Sequence, residues 1–274
     1  MRWPTDPRSL LVAAVAGGLA GCAWSDGEPW ARATFDVRAT LDLPVARIND
    51  DGRWVTTTNQ SVDLFAASAT VRSATLTFAA TGGDASFDPA DPPAGYSNCH
   101  NGHCHADDGA LVDYEDIALE LGGVDPGATT TVVVAAVADL LADPSPLPMT
   151  PCAGGCTLER GDFATMAVTL DRLVVDGRVF DDTDSGRIDD GGVDVRVELV
   201  GPIVVDVPLD GAVTRDTPVD HAFDVTLTIP AQLLDGVDFG GVEITDGRLT
   251  DASALITIAA NLVEHATLDV TVDR

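Results

Sequence analysis

The chain contains no lysine, since all fifteen basic residues among its 274 are arginine. Without lysine there can be no phosphate-binding loop of the Gly-Lys-Ser/Thr type, no Schiff-base lysine and no serine–lysine catalytic dyad. The chain also has no HExxH motif, no GxSxG motif and no glycine-rich dinucleotide fingerprint. We therefore expect a protein that is not an enzyme, and a metal-dependent hydrolase remains the enzymatic alternative.

Positive charge is scarce as well. The 44 acidic residues outnumber the 15 arginines and give a formal net charge of −29 at pH 7. Nucleic-acid binding needs clustered cations that neutralise phosphates, so we expect no nucleic-acid partner. The same excess of carboxylates argues against docking onto anionic lipid headgroups, whereas an acidic surface attracts divalent cations.

Long hydrophobic runs are also missing. The apolar segment at residues 9–20 is too short for a membrane-spanning helix, which needs about 20 residues, and no other stretch is long and apolar enough. This segment follows Arg2 and Arg8. A charged start followed by a short apolar segment is typical of a secretory signal peptide.

The end of this segment, Leu19-Ala20-Gly21-Cys22, resembles the lipobox of bacterial lipoproteins. The resemblance covers residues 1–22 only and implies cleavage before Cys22 and acylation of that cysteine. Residues 1–21 would then be the signal peptide and residues 22–30 a tether to the membrane. Alanine rather than aspartate follows Cys22, which resembles the signal for the outer membrane, so we expect a lipid-anchored cell-envelope protein.

The remaining chain alternates apolar and polar residues with a period of two, the pattern of half-buried strands. The segments with this pattern are 34–43, 76–80, 166–170, 193–199, 223–229 and 268–272. Many short strands separated by Gly, Pro and Asp predict an all-β protein, an antiparallel β-sandwich of immunoglobulin-like architecture. Gly201-Pro202 predicts a hairpin turn between residues 193–199 and 203–209.

One short helix is expected near the C-terminus. Asp251 is a suitable N-cap, and Leu255, Ile258 and Leu262 recur at helical spacing up to His265. A proline-rich segment at residues 143–151 divides the β-rich chain into regions 31–150 and 151–274. These regions form either two sandwiches or a single domain.

Four cysteines remain apart from Cys22, namely Cys99, Cys104, Cys152 and Cys156. In an exported protein an even number of cysteines predicts disulfides, here with three possible connectivities. Pairing within each loop would stiffen the two loops locally. Pairing between the loops would close roughly 50 residues and stabilise the fold by about 4 kcal/mol.

Three of the five histidines, His100, His103 and His105, stand in the same short segment as Cys99 and Cys104. Neutral imidazole suits zinc and copper, so the segment predicts a transition-metal site, with zinc first and copper second. The two cysteines would be further ligands if reduced, and a mixed set drawn from both cysteine loops would complete a four-ligand zinc site. Asp107 and Asp108 could orient the ligating rings.

Other interpretations of this segment remain open. It could be an exposed, disulfide-stapled loop of a structural or adhesive surface lipoprotein that binds no metal. Its C-x₄-C-H spacing resembles the longer haem attachment sites of some multihaem cytochromes c, but the usual spacing is C-x₂-C-H and the motif occurs once. Elsewhere, Asp182 and Asp184 begin a segment like a calcium loop, but Gly186 is one position early and the closing glutamate is missing. We interpret that segment as an acidic turn.

Overall fold

The computed structural model describes residues 30–79, 88–114, 116–117, 129–150, 152, 156–159, 161–183, 185–213 and 217–273. The expected signal peptide, the lipobox with Cys22 and the tether up to residue 29 lie outside the described residues. Within the described part of the chain, no helix is both long and apolar enough to span a membrane.

The described residues form strands, two 3₁₀ turns and the helix α1. The strands are β1 (Trp30–Asp42), β2 (Trp54–Val55), β3 (Gln60–Phe78), β4 (Tyr96–His100), β5 (His103–Ala106), β6 (Leu111–Asp113), β7 (Thr129–Asp139), β8 (Cys156–Glu159), β9 (Gly161–Asp181), β10 (Val193–Pro208), β11 (Ala212–Val213), β12 (Asp220–Pro230), β13 (Ile244–Thr245), β14 (Arg248–Leu249) and β15 (Thr267–Asp273). The 3₁₀ turns are Val45–Arg47 and Ala231–Leu234, and α1 is Ala252–His265.

These strands form three sheets. The first has the order β15-β12-β1-β8, and the second has the order β13-β14-β10-β9-β3-β2, with β7 on β3 and β11 on β9. The inner faces of these two sheets and one side of α1 share a single hydrophobic cluster, so they form a sandwich. The third sheet, β4-β5-β6, carries the cysteine and histidine segment. The predicted all-β class is confirmed.

The alternation read from the sequence determines which side of each strand is buried. In β1, Phe35, Val37 and Ala39 are buried, while the residues between them are partly exposed. Strand β12 runs parallel to β1 and places Phe223 beside Phe35, with the rings stacked at 5.0 Å between centroids. Because burial of such a side chain contributes about 1.5–3 kcal/mol, these alternating positions account for much of the stability of the sandwich.

The predicted hairpin at Gly201-Pro202 is wrong. Both segments belong to the single strand β10, and both pair antiparallel with β9. Val200 pairs with Arg172 and Ile203 with Leu170, so Gly201 and Pro202 form a β-bulge. A proline lacks the N–H that a continuous ladder needs and is tolerated at a bulge, and Gly201 adopts a φ of +127°. The two residues therefore bend the strand without reversing it.

The predicted C-terminal helix is confirmed. The Oδ1 atom of Asp251 accepts hydrogen bonds from the backbone N–H groups of Ser253 at 2.9 Å and Ala254 at 3.0 Å, as an N-cap does. Hydrogen bonds from Ser253 and Ala254 lower the pKa of Asp251 below its usual value. The helix buries Ile258 and Leu262 against the core.

Strands from both sides of residue 150 pair with one another. Strand β1 pairs with β12 along eleven positions, from Arg32 with Asp220 to Asp42 with Pro230. Strand β3 pairs with β9 over most of its length. The regions 31–150 and 151–274 therefore contribute strands to the same two sheets.

Candidate metal centre

A tight hairpin positions the histidines. Strands β4 and β5 are joined by Asn101 and Gly102, which have φ angles of +52° and +84°. Positive φ at both central residues is the pattern of a type I′ turn, for which Asn-Gly is a preferred sequence because its twist matches that of the strands. His100 and His103 are consequently a directly opposed cross-strand pair.

All three imidazoles lie on one face of this hairpin. His100 and His103 share that face because they are opposite each other, and His105 shares it because it follows His103 by two residues. The ring centroids are 4.7 Å apart for His100 and His103, 5.6 Å for His100 and His105, and 6.0 Å for His103 and His105. One nitrogen from each ring lies within 4.8 Å of the others.

The other face of the hairpin carries a disulfide. Cys99 precedes His100 and Cys104 lies between His103 and His105, so both cysteines point away from the imidazoles, and they are bonded to each other. Cys104 is fully buried, yet it is not part of the main hydrophobic cluster of the sandwich. A bulge at Asn98, which has a φ of +47°, brings the two cysteines into register. The disulfide therefore crosslinks the two histidine-bearing strands on the face opposite the imidazoles.

The spacing of the imidazoles fits a transition-metal ion. With Zn–N bonds of about 2.0–2.1 Å, two nitrogens on a tetrahedral zinc are roughly 3.3 Å apart. The three nitrogens lie within 4.8 Å of one another, so small ring rotations would bring them to bonding distance. His100 is exposed and the other two are half-buried, which leaves the site accessible from solvent.

The predicted sulfur ligands are not available. Cys99 pairs with Cys104, and Cys152 pairs with Cys156. Each cysteine loop therefore closes on itself, the alternative of pairing between the loops does not occur, and the mixed Cys/His zinc site does not form. Cys156 lies on β8 at the edge of the first sheet, where it pairs with Ala33.

Asp107 and Asp108, which the sequence suggested as partners of the ligating rings, lie in a turn after β5. Asp108 uses its Oδ1 atom to accept a hydrogen bond from the N–H of Ala110 at 2.9 Å, and the N–H of Asp107 donates to the carbonyl of Gly95 at 3.0 Å. Both side chains are exposed. The hydrogen bonds of both residues stabilise the turn that connects β5 to β6.

Sequence reasoning missed a different carboxylate. The register of β5 and β6 places Asp113 directly opposite His103. Asp113 is ten residues from His103 in the chain, so its position becomes visible only once β6 is paired. The backbone N–H of Tyr114 donates to the carbonyl of Gly102 at 2.9 Å and ties the end of β6 to the hairpin turn.

The acidic segment at residues 181–190 is organised as a turn. Asp181 accepts hydrogen bonds from the hydroxyls of Ser185 and Thr183 and from the N–H of Thr183. The Ser185 hydroxyl makes the largest contribution to a pKa of about 2 for Asp181, against an ordinary value of 3.8. Asp182 accepts a hydrogen bond from Ser61 at 2.9 Å, and Asp184 lies outside the described residues. The interpretation as an acidic turn is therefore consistent with its contacts.

Within the described ranges, the histidine cluster is the one group of three or more His, Cys, Asp or Glu side chains whose donor atoms converge this closely. No protein-family model matches the chain, and no curated protein or solved structure is significantly similar to it.

Proposed function

We propose that this protein is a lipid-anchored protein of the cell envelope whose β4–β5 hairpin binds one transition-metal ion, without catalysing a reaction. The observation that carries the proposal is the convergence of His100, His103 and His105 on one face of a disulfide-fixed hairpin, with a nitrogen from each ring within 4.8 Å of the others. A loop that is merely polar and exposed would not need to place three histidines on one face with their nitrogens this close together.

Zinc is the first candidate metal and copper the second. Imidazole binds both metals well, whereas copper(I) prefers the sulfur ligands that the disulfide withholds here. Structural zinc sites have four protein ligands as a rule, and this cluster supplies three. A fourth ligand would come from solvent or from another molecule, because His100 is exposed, and an exchangeable metal suits metal handling better than a permanent structural role.

The membrane anchor rests on the sequence of the N-terminal segment. Cleavage before Cys22 and its acylation would attach the domain through two or three acyl chains, each CH₂ group contributing about 0.8 kcal/mol. The net charge of −29 makes binding to anionic headgroups unfavourable, so the acyl chains would be the membrane attachment. Palmitate labelling of the wild type and of a Cys22→Ala variant tests this part, because only the wild type should incorporate label and fractionate with the outer membrane.

Metal analysis tests the central part of the proposal. The wild type, purified without chelators, should contain about one zinc or copper per chain, and the His103→Ala/His105→Ala variant should contain almost none. His265→Ala is a matched control, since His265 is exposed at the end of α1 and its loss should leave the metal content unchanged. Equally low metal in the wild type and the double variant would refute metal binding. The two disulfide-closed loops would then favour the alternative function, a structural or adhesive surface lipoprotein.

A further inference from the structure

The third strand of the small sheet extends the histidine face of the hairpin. Strand β6 pairs antiparallel with β5, so that Asp113 is opposite His103, Val112 opposite Cys104, and Leu111 opposite His105. His100, His103 and Asp113 therefore form a row across the three strands, on the face opposite the disulfide. Directly opposed residues in an antiparallel pair have Cβ atoms about 4.5–5.5 Å apart, within reach of a carboxylate and an imidazole.

A metal-binding imidazole needs a defined tautomer. One ring nitrogen binds the ion, and the other carries the proton, which a carboxylate commonly accepts. Such a bond holds the ring in one orientation and makes the ligating nitrogen a better donor. Asp113 is half-buried, where a hydrogen bond to an imidazole is screened less than on the open surface. We propose that Asp113 is a positioning residue of the metal centre that accepts the ring N–H of His103, an inference that rests on the proposed metal-binding function.

The fold gives this role to Asp113 rather than to another carboxylate. Asp107 and Asp108 lie in the turn beyond the histidines with exposed side chains, whereas Asp113 lies on the strand that pairs with the His103 strand. Opposite His105 the sheet places Leu111, whose side chain offers no acceptor. The hydrogen bond from the N–H of Tyr114 to the carbonyl of Gly102 ties the end of β6 to the hairpin turn and supports the register that places Asp113 opposite His103.

Zinc affinity of an Asp113→Asn variant tests the proposal. Asparagine keeps the shape of aspartate but is a weaker acceptor without charge. Competition with a chromophoric chelator should show zinc binding weaker by about 10- to 100-fold, the usual cost of losing such a partner. Asp107→Asn removes an equal charge close by from an exposed residue, and its affinity should change by less than about fivefold, as expected for a screened surface charge. Equal effects of the two substitutions would overturn the proposal.

The tautomer of His103 gives a second readout that needs no metal. In the metal-free protein, ¹⁵N NMR of the ring nitrogens at fixed pH should show one dominant tautomer in the wild type and in Asp107→Asn, and a mixture in Asp113→Asn. An unchanged tautomer in Asp113→Asn would overturn the positioning role even if affinity fell. If the wild type bound no zinc, the proposed function would fail, while the NMR comparison would still decide whether Asp113 and His103 form a pair.

The spectrum of the cobalt(II) form separates positioning from direct ligation. Cobalt(II) replaces zinc and its visible bands report the ligands bound to the ion. If Asp113 acts through His103, the Asp113→Asn variant saturated with cobalt should keep the band positions of the wild type. Shifted bands would make Asp113 a ligand itself and would overturn the positioning role.

Discussion

Removal of the Cys99–Cys104 disulfide should loosen the hairpin that carries the histidines. The bond crosslinks β4 and β5 directly behind His100 and His103, and Cys104 is fully buried. A Cys99→Ala/Cys104→Ala variant removes the crosslink without placing a hydroxyl in that buried position. Because β4, β5 and β6 form a sheet of their own, we expect the effect mainly as local opening of this sheet.

The structure sets the size of this effect. The two cysteines are five positions apart, and the chain-entropy expression for so short a loop gives about 2 kcal/mol. Since every 1.4 kcal/mol is a factor of ten, the ratio of closed to open hairpin should fall by about 30-fold. Zinc affinity should fall by no more than this factor, because binding needs the closed form and the apparent affinity scales with its population.

Native-state hydrogen exchange measures the opening directly. The reporter amides are Tyr114, which donates to Gly102, and Ala106, which donates to Ala110. In the variant both should exchange about 30-fold faster under conditions where local opening controls exchange. The control is Cys152→Ala/Cys156→Ala, which removes a disulfide that closes a loop of similar length next to the main core. It should leave the exchange of both amides and the zinc affinity unchanged.

Two results would refute this reasoning. Unchanged exchange at Tyr114 and Ala106 in the Cys99→Ala/Cys104→Ala variant would mean that the disulfide does not hold the hairpin closed. Complete loss of zinc in that variant, with its exchange rates unchanged, would mean that the sulfurs rather than the imidazoles hold the metal.

Two further predictions concern carboxylates outside the metal centre. Asp251→Ala removes the N-cap of α1 and should lower the free energy of unfolding by about 1 kcal/mol, whereas Asp251→Asn, which can still cap, should cost less; equal melting temperatures for the wild type and the alanine variant would contradict the assignment. The pKa of Asp181 is lowered from 3.8 to about 2. Its contribution to the stability of the folded state is therefore complete above pH 4 and is lost as the pH falls towards 2. Denaturant unfolding between pH 4 and pH 2 should therefore show a shallower loss of stability for Asp181→Asn than for the wild type, and identical slopes would contradict the lowered pKa.

The sequence predicted those strands and the helix whose formation depends on residues close together in the chain. The period of two in β1 and β12 follows from burial of one strand face, and the Asp251 cap follows from the unpaired N–H groups of a helix start. The convergence of the histidines was partly predictable for the same reason. Residues 103 and 105 share a face in any strand, and Asn-Gly favours the turn that places His100 opposite His103.

Features that depend on pairing between distant segments were not predictable in the same way. The parallel pairing of β1 with β12 joins residues such as Phe35 and Phe223, and nothing near either residue specifies the partner. The bulge at Gly201-Pro202 contains the residues of a turn, and only the continuous pairing of β10 with β9 shows that the chain does not reverse. The position of Asp113 likewise depends on the register of β5 with β6.

The most direct test of the account is X-ray absorption spectroscopy of the zinc-loaded protein, which counts the atoms bound to the metal. We predict about three imidazole nitrogens at about 2.0–2.1 Å with a light atom in the remaining position, and no sulfur at about 2.3 Å. His100, His103 and His105 would be the source of these nitrogens, so the signal of bound imidazole should disappear in the His103→Ala/His105→Ala variant. A sulfur shell at 2.3 Å, or zinc surrounded by oxygen alone, would contradict a metal centre built on the histidine face of the hairpin.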